Sequence, residues 1–167
     1  MDIYSELKAD HKKIKSLLKK LEDTTEKSVK QRKTLLKQLK ETLVPHARAE
    51  EKALYERLKE STVKEAGALA FEGYEEHGVA DRLMELLEDT SPNDKKWTAL
   101  IAVIKESLEH HIEEEEGDIF KKARKSFDRK TAVTMGEEFL RLKAQFLAEV
   151  KQGKTPAQPE SHELVAA

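Results

Sequence analysis

Four histidines and two glutamates stand where apolar side chains are due. His11, His46, His77 and His111, with Glu50 and Glu115, interrupt runs of aliphatic residues spaced three and four apart. That spacing marks the buried face of a helix. A lone carboxylate facing such an interior is penalised by on the order of several kcal/mol. No Lys or Arg occupies these stripes at the same height to offset it. A pair of divalent or trivalent cations would. Imidazole nitrogens are ready ligands, and a carboxylate can bridge two ions. His and Glu four apart share one helix face, so a single helix supplies both donor types. Mixed nitrogen and oxygen ligation of this kind suits iron, manganese or zinc better than calcium or magnesium.

The elements that must position these residues are helices. The first is expected over about 3–21, with stripe Ile3, Leu7, Ile14, Leu18 and Leu21 and His11 filling its gap. The second is expected over about 28–60, reading Leu36, Leu39, Leu43, His46, Glu50, Leu54 and Leu58, with Pro45 as a local kink or strain. The third runs over about 62–87 through Ala66, Leu69, Gly73, His77, Ala80, Met84 and Leu87. Ser91-Pro92 reads as a helix start, opening a fourth helix to about residue 125. Its stripe is Trp97, Ile101, Ile104, Leu108, His111, Glu115 and Ile119. A fifth, over about 128–151, carries Val133, Phe139, Leu142, Phe146 and Val150. Beyond Gln152 the chain has Gly153, Pro156 and Pro159 and no period, so a disordered tail with an inert His162 is expected.

The chain repeats itself. His46-x3-Glu50-Glu51, followed by Leu54-Tyr55, matches His111-x3-Glu115-Glu116, followed by Ile119-Phe120. Asp10-His11 matches Glu76-His77, each with a similar aliphatic pattern after it. About 14 residues follow His46 in its helix and about 15 precede His77 in the next, so an antiparallel hairpin sets them at one height. Both hairpins share the same stagger, which brings all four histidines to one layer. The expected fold is therefore all-α: an up-down-up-down four-helix bundle over 1–126, an additional C-terminal helix over 127–152 and a tail over 153–167.

Composition narrows the function classes. In 167 residues there are 31 basic and 33 acidic side chains, a formal net charge of -2. That offers no global field for nucleic acid. There is no cysteine, which removes disulfides, thiolate ligands and thiol nucleophiles. No apolar run is long enough for a membrane span, and Met1-Asp2-Ile3-Tyr4 does not open like a signal peptide. A cytoplasmic protein is expected. The His-Glu-x2-His zinc motif is absent. So is the Glu-x2-His motif of carboxylate oxidases, since Lys8, Leu43, Tyr74 and Leu108 stand three residues before the four histidines.

Over about residues 3–125 the pattern resembles the hemerythrin-like, or HHE cation-binding, family. The two His-x3-Glu-Glu motifs, in this order with the lone histidines, carry the resemblance. It implies a bundle around two iron ions, oxo- or hydroxo-bridged, with zinc or manganese as substitutes. His11, His46, His77 and His111 would be terminal ligands, and Glu50 and Glu115 bridges. Oxygen-carrying members have a His-x3-His pair on the third helix, where this chain has Gly73, and His-x4-Asp on the last, where it has His111-x3-Glu115. That departure turns the expectation from oxygen carriage towards a more open centre that binds or consumes a small molecule such as oxygen, peroxide or nitric oxide. Tyr74, beside the gap at Gly73, is a candidate additional ligand or pocket residue. Two further readings stand beside this one: a non-catalytic iron or oxygen sensor, and a metal-free bundle in which the same residues only hydrogen-bond. Glu51 and Glu116 read equally as solvated residues or as groups behind the ligands. His110, off the stripe, reads as surface, and Tyr55, Phe120 and Trp97 as packing.

Overall fold

The computed structural model describes residues 1–159, so His162 and the expected tail from residue 160 lie outside the described residues. Five helices account for most of the chain. Helix α1 is Ile3–Glu22. Helix α2 starts as Val29–Glu50, passes through a π-helical turn at Glu51–Tyr55 and ends as Glu56–Lys59. Helix α3 is Ala66–Asp89. Helix α4 starts as Lys95–Glu114, takes a second π-helical turn at Glu115–Ile119 and ends as Phe120–Ser126. Helix α5 is Arg129–Lys151.

Local chemistry explains the boundaries. Asp2, Asp94 and Asp128 cap α1, α4 and α5, each accepting from a backbone N–H of the first turn. The helix start expected at Ser91-Pro92 therefore lies three residues later, at the Asp94 cap. Pro92 instead sits in the connecting turn, where its carbonyl accepts from the buried Arg32 guanidinium at 2.6 Å. The third helix starts at Ala66 rather than near residue 62, preceded by Glu65 in the left-handed region at φ 70°. Pro45 does not break α2. Neither π turn was legible in the periodicity, yet the two begin within one residue of the same place in the repeat, just after Glu50 and at Glu115, the last residues of the His-x3-Glu motifs. Such turns carry one extra residue and concentrate at functional sites.

The core is split in two by the histidine layer. One cluster takes the residues before His11 (Ile3, Tyr4, Leu7), after His46 (Ala53, Leu54, Tyr55), before His77 (Ala70, Tyr74) and after His111 (Ile119, Phe120). The other takes the opposite ends: Ile14 and Leu18, Leu39 and Leu43, Met84 and Leu87, Ile101 and Ile104. That alternation is the signature of four antiparallel helices, α1 to α4, in a bundle with up-down-up-down order. Leu35, not Leu36, is the more buried of its pair.

Helix α5 packs across α1 and α2. Its inner face is Ala132, Met135, Gly136, Phe139, Leu142, Phe146 and Val150. Val133, expected on that face, is 37% exposed. The aperiodic stretch after Gly153 is not helical, but up to Pro159 it does not hang free. Gln158 donates to Glu51 at 2.9 Å and to the Tyr74 carbonyl at 2.8 Å.

Gly136 sets how closely α5 approaches the start of α1. A Cβ there would stand 2.5 Å from the Met1 carbonyl oxygen and 3.0 Å from the Asp2 carbonyl carbon. Gly136→Ala is expected to destabilise the fold by about 1–3 kcal/mol through this backbone clash. The check is a urea or thermal unfolding midpoint, and a midpoint equal to the parent's would refute the contact.

Candidate metal centre

The bundle brings all six residues into one dry layer. His11, His46, His77 and His111 are at most 4% exposed, and Glu50 and Glu115 are fully buried. Their donor atoms form two groups, His11–His46–Glu115 and His77–His111–Glu50, each within 4.8 Å of one another. Each glutamate also reaches the other group. Glu50 Oε2 lies 3.4 Å from His77 Nε2 and 3.6 Å from His46 Nε2. Glu115 Oε2 lies 3.2 Å from His11 Nε2 and 3.7 Å from His111 Nε2. Two nitrogens per group, with two carboxylates between the groups, is an arrangement that two cations can share.

Behind the layer runs a closed ring of carboxylates, one step from helix to helix. Asp10 on α1 meets His46 Nδ1 on α2 at 3.2 Å. Glu51 on α2 meets His77 Nδ1 on α3 at 2.9 Å. Glu76 on α3 meets His111 Nδ1 on α4 at 2.5 Å, and Glu116 on α4 returns to His11 Nδ1 at 2.9 Å. Every carboxylate is the chain neighbour of a residue in the layer. Sequence reasoning assigned no role to Asp10 or Glu76, and left Glu51 and Glu116 open. The signal was there in the repeat, since an acidic residue precedes each lone histidine and follows each motif glutamate. Glu51 is in fact fully buried, so a solvated reading fails for it; Glu116 is half-buried.

This ring decides what the centre can hold. An ionised carboxylate only accepts, so each Nδ1 carries the hydrogen and donates it, leaving a bare Nε2 lone pair pointing inward in the neutral ring. His77 Nε2 and His111 Nε2 face each other at 3.2 Å. His11 Nε2 and both oxygens of Glu50 and of Glu115 have no hydrogen-bond partner, although all are buried. Lone pairs converge on lone pairs with no donor among them. Only cations, or protons drawn in as substitutes, satisfy that set, and the residues fit a pair of metal ions well.

The electrostatics agree. Burial, then the charge of Glu115 beside it, drives the Glu50 carboxyl well above the usual range. Burial also lowers His46 to about 4, with Asp10 only partly offsetting it, and lowers His77. At His11 burial again favours the neutral ring, but Glu115 and Glu116 outweigh it and raise its pKa. The metal-free site therefore gathers protons on Glu50 and His11.

The gap left by Gly73 is filled, but not by Tyr74. A Cβ at Gly73 would come within 2.7 Å of the Tyr55 ring. That ring stacks on His77 at 5.4 Å between centroids, and its buried hydroxyl has no partner. The Tyr74 hydroxyl donates to the Glu51 carbonyl at 3.2 Å. So Tyr55, expected as packing, borders the centre where Tyr74 was expected. Arg48 is also buried, pairing with both oxygens of Glu51 at 2.8 and 2.9 Å and with Asp81. His110 is exposed, as its place off the stripe implied.

With this geometry, the comparisons with known proteins are concordant. The family model for the Hemerythrin HHE cation binding domain matches residues 2–123. The chain belongs to the hemerythrin HHE cation-binding family. A solved structure, that of a Hemerythrin HHE cation binding domain-containing protein described as the Rv2633c homolog from Mycobacterium kansasii, superposes with a TM-score of 0.78. It is 23% identical, and the match covers 91% of each chain, so the shared fold extends past the stretch the family model spans. No curated protein matches the sequence.

Metal uptake must expel the protons held by Glu50 and His11, so apparent affinity is expected to rise with pH. The sign follows from two raised pKa values: lowering pH through them fills the site with competing protons. Calorimetric zinc titrations in buffers of different ionisation enthalpy should show net proton release and tighter binding at about pH 8 than at about pH 6. Proton-neutral binding at constant affinity would contradict the assignment.

Proposed function

We propose that the chain holds two iron ions through His11, His46, Glu50, His77, His111 and Glu115, and uses them to bind or reduce a small oxidant: oxygen, peroxide or nitric oxide. One observation carries this reading. Four imidazole nitrogens and two fully buried carboxylates converge without a hydrogen-bond donor, in a family named for cation binding. His11, His46 and Glu115 would hold one ion, His77, His111 and Glu50 the other, with each glutamate spanning to the second. Zinc or manganese fits the same donors, and the preference for iron rests on the family's chemistry. Bound iron would supply one-electron chemistry and exchangeable coordination positions.

The chain's own residues do the rest. The two apolar clusters keep bulk water from the layer. The carboxylate ring fixes each imidazole's tautomer and strengthens it as a donor. Tyr55 adds a hydroxyl with no protein partner at the edge of the His77 group, and burial followed by the nearby glutamates keeps it protonated. It would serve as a hydrogen-bond donor to a small molecule there.

A second reading, a non-catalytic iron or oxygen sensor, is favoured by Gln158. It ties the C-terminal segment to Glu51, the carboxylate that orients His77. A change at the centre would reach that segment through a single side chain.

Protein purified without added metal should contain two irons per chain and show near-ultraviolet absorption of bridged ferric iron that peroxide alters. Absence of stoichiometric iron, with zinc taking its place in cells, would end the oxidant reading. Turnover of peroxide or nitric oxide separates the first reading from the sensor, which would bind without consuming. Tyr55→Phe is expected to keep both irons and slow any such turnover by roughly tenfold or more. Its metal-free stability should be equal or higher, since an unpaired buried hydroxyl is removed. Unchanged turnover in that variant would remove Tyr55 from the function.

A further inference from the structure

The ring of carboxylates is symmetric in the repeat, but what stands behind it is not. Asp10 and Glu76 are equivalent, each preceding a lone histidine and each accepting from the Nδ1 of the next helix's motif histidine. Lys143, on α5, donates to both oxygens of Asp10 at 2.9 Å. The Asp10 side chain is only 12% exposed and that of Lys143 27%, so the pair is largely shielded. Glu76 has no such ammonium from a fifth helix; its charged neighbours in the described residues are His110, His111 and Glu114. Helix α5 also presses Phe139 edge-on against the His46 ring, at 5.8 Å between centroids.

We propose that Lys143 is a positioning residue for the metal centre, through which the fifth helix completes one of the two metal positions, that of His11 and His46. The inference rests on the two-metal reading above. Asp10 has to do two things: stay ionised in a shielded place, and keep one oxygen on His46 Nδ1. His46 alone can satisfy only one of its oxygens. Lys143 engages both, which balances the charge and stops the carboxylate turning away from the imidazole. His46 in turn keeps its Nε2 aimed into the layer. Groups that orient a metal-binding histidine typically matter by 10- to 100-fold in affinity. At the His77–His111 position the contact from outside the bundle is the neutral Gln158 amide on Glu51, and among the described residues no ammonium holds Glu76. The four-helix bundle therefore depends on α5 for one ion and not for the other.

The test uses the full chain loaded with zinc, which is diamagnetic and has no redox chemistry. Graded chelator should remove both equivalents from the parent protein over one range. In Lys143→Met, one equivalent should leave at roughly 10- to 100-fold lower chelator concentration, with the other unchanged. Lys143→Arg should restore retention, because it keeps a cationic donor on Asp10. Nuclear magnetic resonance of the zinc-loaded protein should show the His46 Nδ1–H signal shifted or lost in Lys143→Met, and those of His77 and His111 unmoved. Phe146→Ala controls for packing: it loosens α5 without touching Asp10, and its effect should fall on both equivalents or on neither. Equal loss at both positions in Lys143→Met, or no change in retention and in the His46 signal, overturns the proposal. If the parent chain takes up fewer than two equivalents, the two-metal reading itself has failed, a separate outcome.

Discussion

A set of lone pairs facing inward with no donor to meet them governs this protein. Two glutamates and four imidazoles point into a layer from which water is shut out, and their outer nitrogens are already committed to carboxylates. An apolar core does not tolerate that charge unless something cationic fills it. Most other features of the bundle can be understood as conditions for holding this layer in register. The helices are long enough to place hydrocarbon above and below it, and the two clusters of core residues are separate because the layer divides them.

The duplicated sequence makes the layer geometrically simple. Each helix contributes one histidine to the centre and one carboxylate to its neighbour, so the ring closes after four steps. The two π-helical turns fall within one residue of the same point of each half. They start immediately after Glu50 on α2 and at Glu115 on α4. In a regular helix adjacent residues diverge by about 100°. Glu50 and Glu51 are nevertheless both fully buried, one facing the layer and one facing His77 on the next helix. The local widening of the helix coincides with this double demand.

The halves are not identical, and their differences lie where function would be tuned. Asp10 is backed by Lys143, while Glu76 faces His110 and Glu114 instead. Glu51 is fully buried against Arg48 and Gln158, while Glu116 is half-buried, with Lys8 at 3.9 Å. Tyr55 occupies the space beside Gly73 on one side, and its repeat partner Phe120 has no hydroxyl to offer on the other. Two chemically similar groups of donors thus sit in different surroundings.

Sequence alone determined the bundle, the six residues of the layer and the order of the helices, because each follows from helical periodicity and from counting residues along the chain. A histidine in an apolar stripe announces which way it points. A repeated stagger announces what it meets. Only the tertiary structure decided which carboxylate stands behind which imidazole, since that depends on the rotation of each helix about its axis against its neighbour. It also decided that Tyr55, not Tyr74, fills the gap at Gly73. Tyr55 reaches that space from the neighbouring helix, so its place there is set by the packing of α2 against α3. The part taken by α5 was likewise invisible: Lys143 and Asp10 are remote in sequence, and their meeting depends on where the last helix crosses the first.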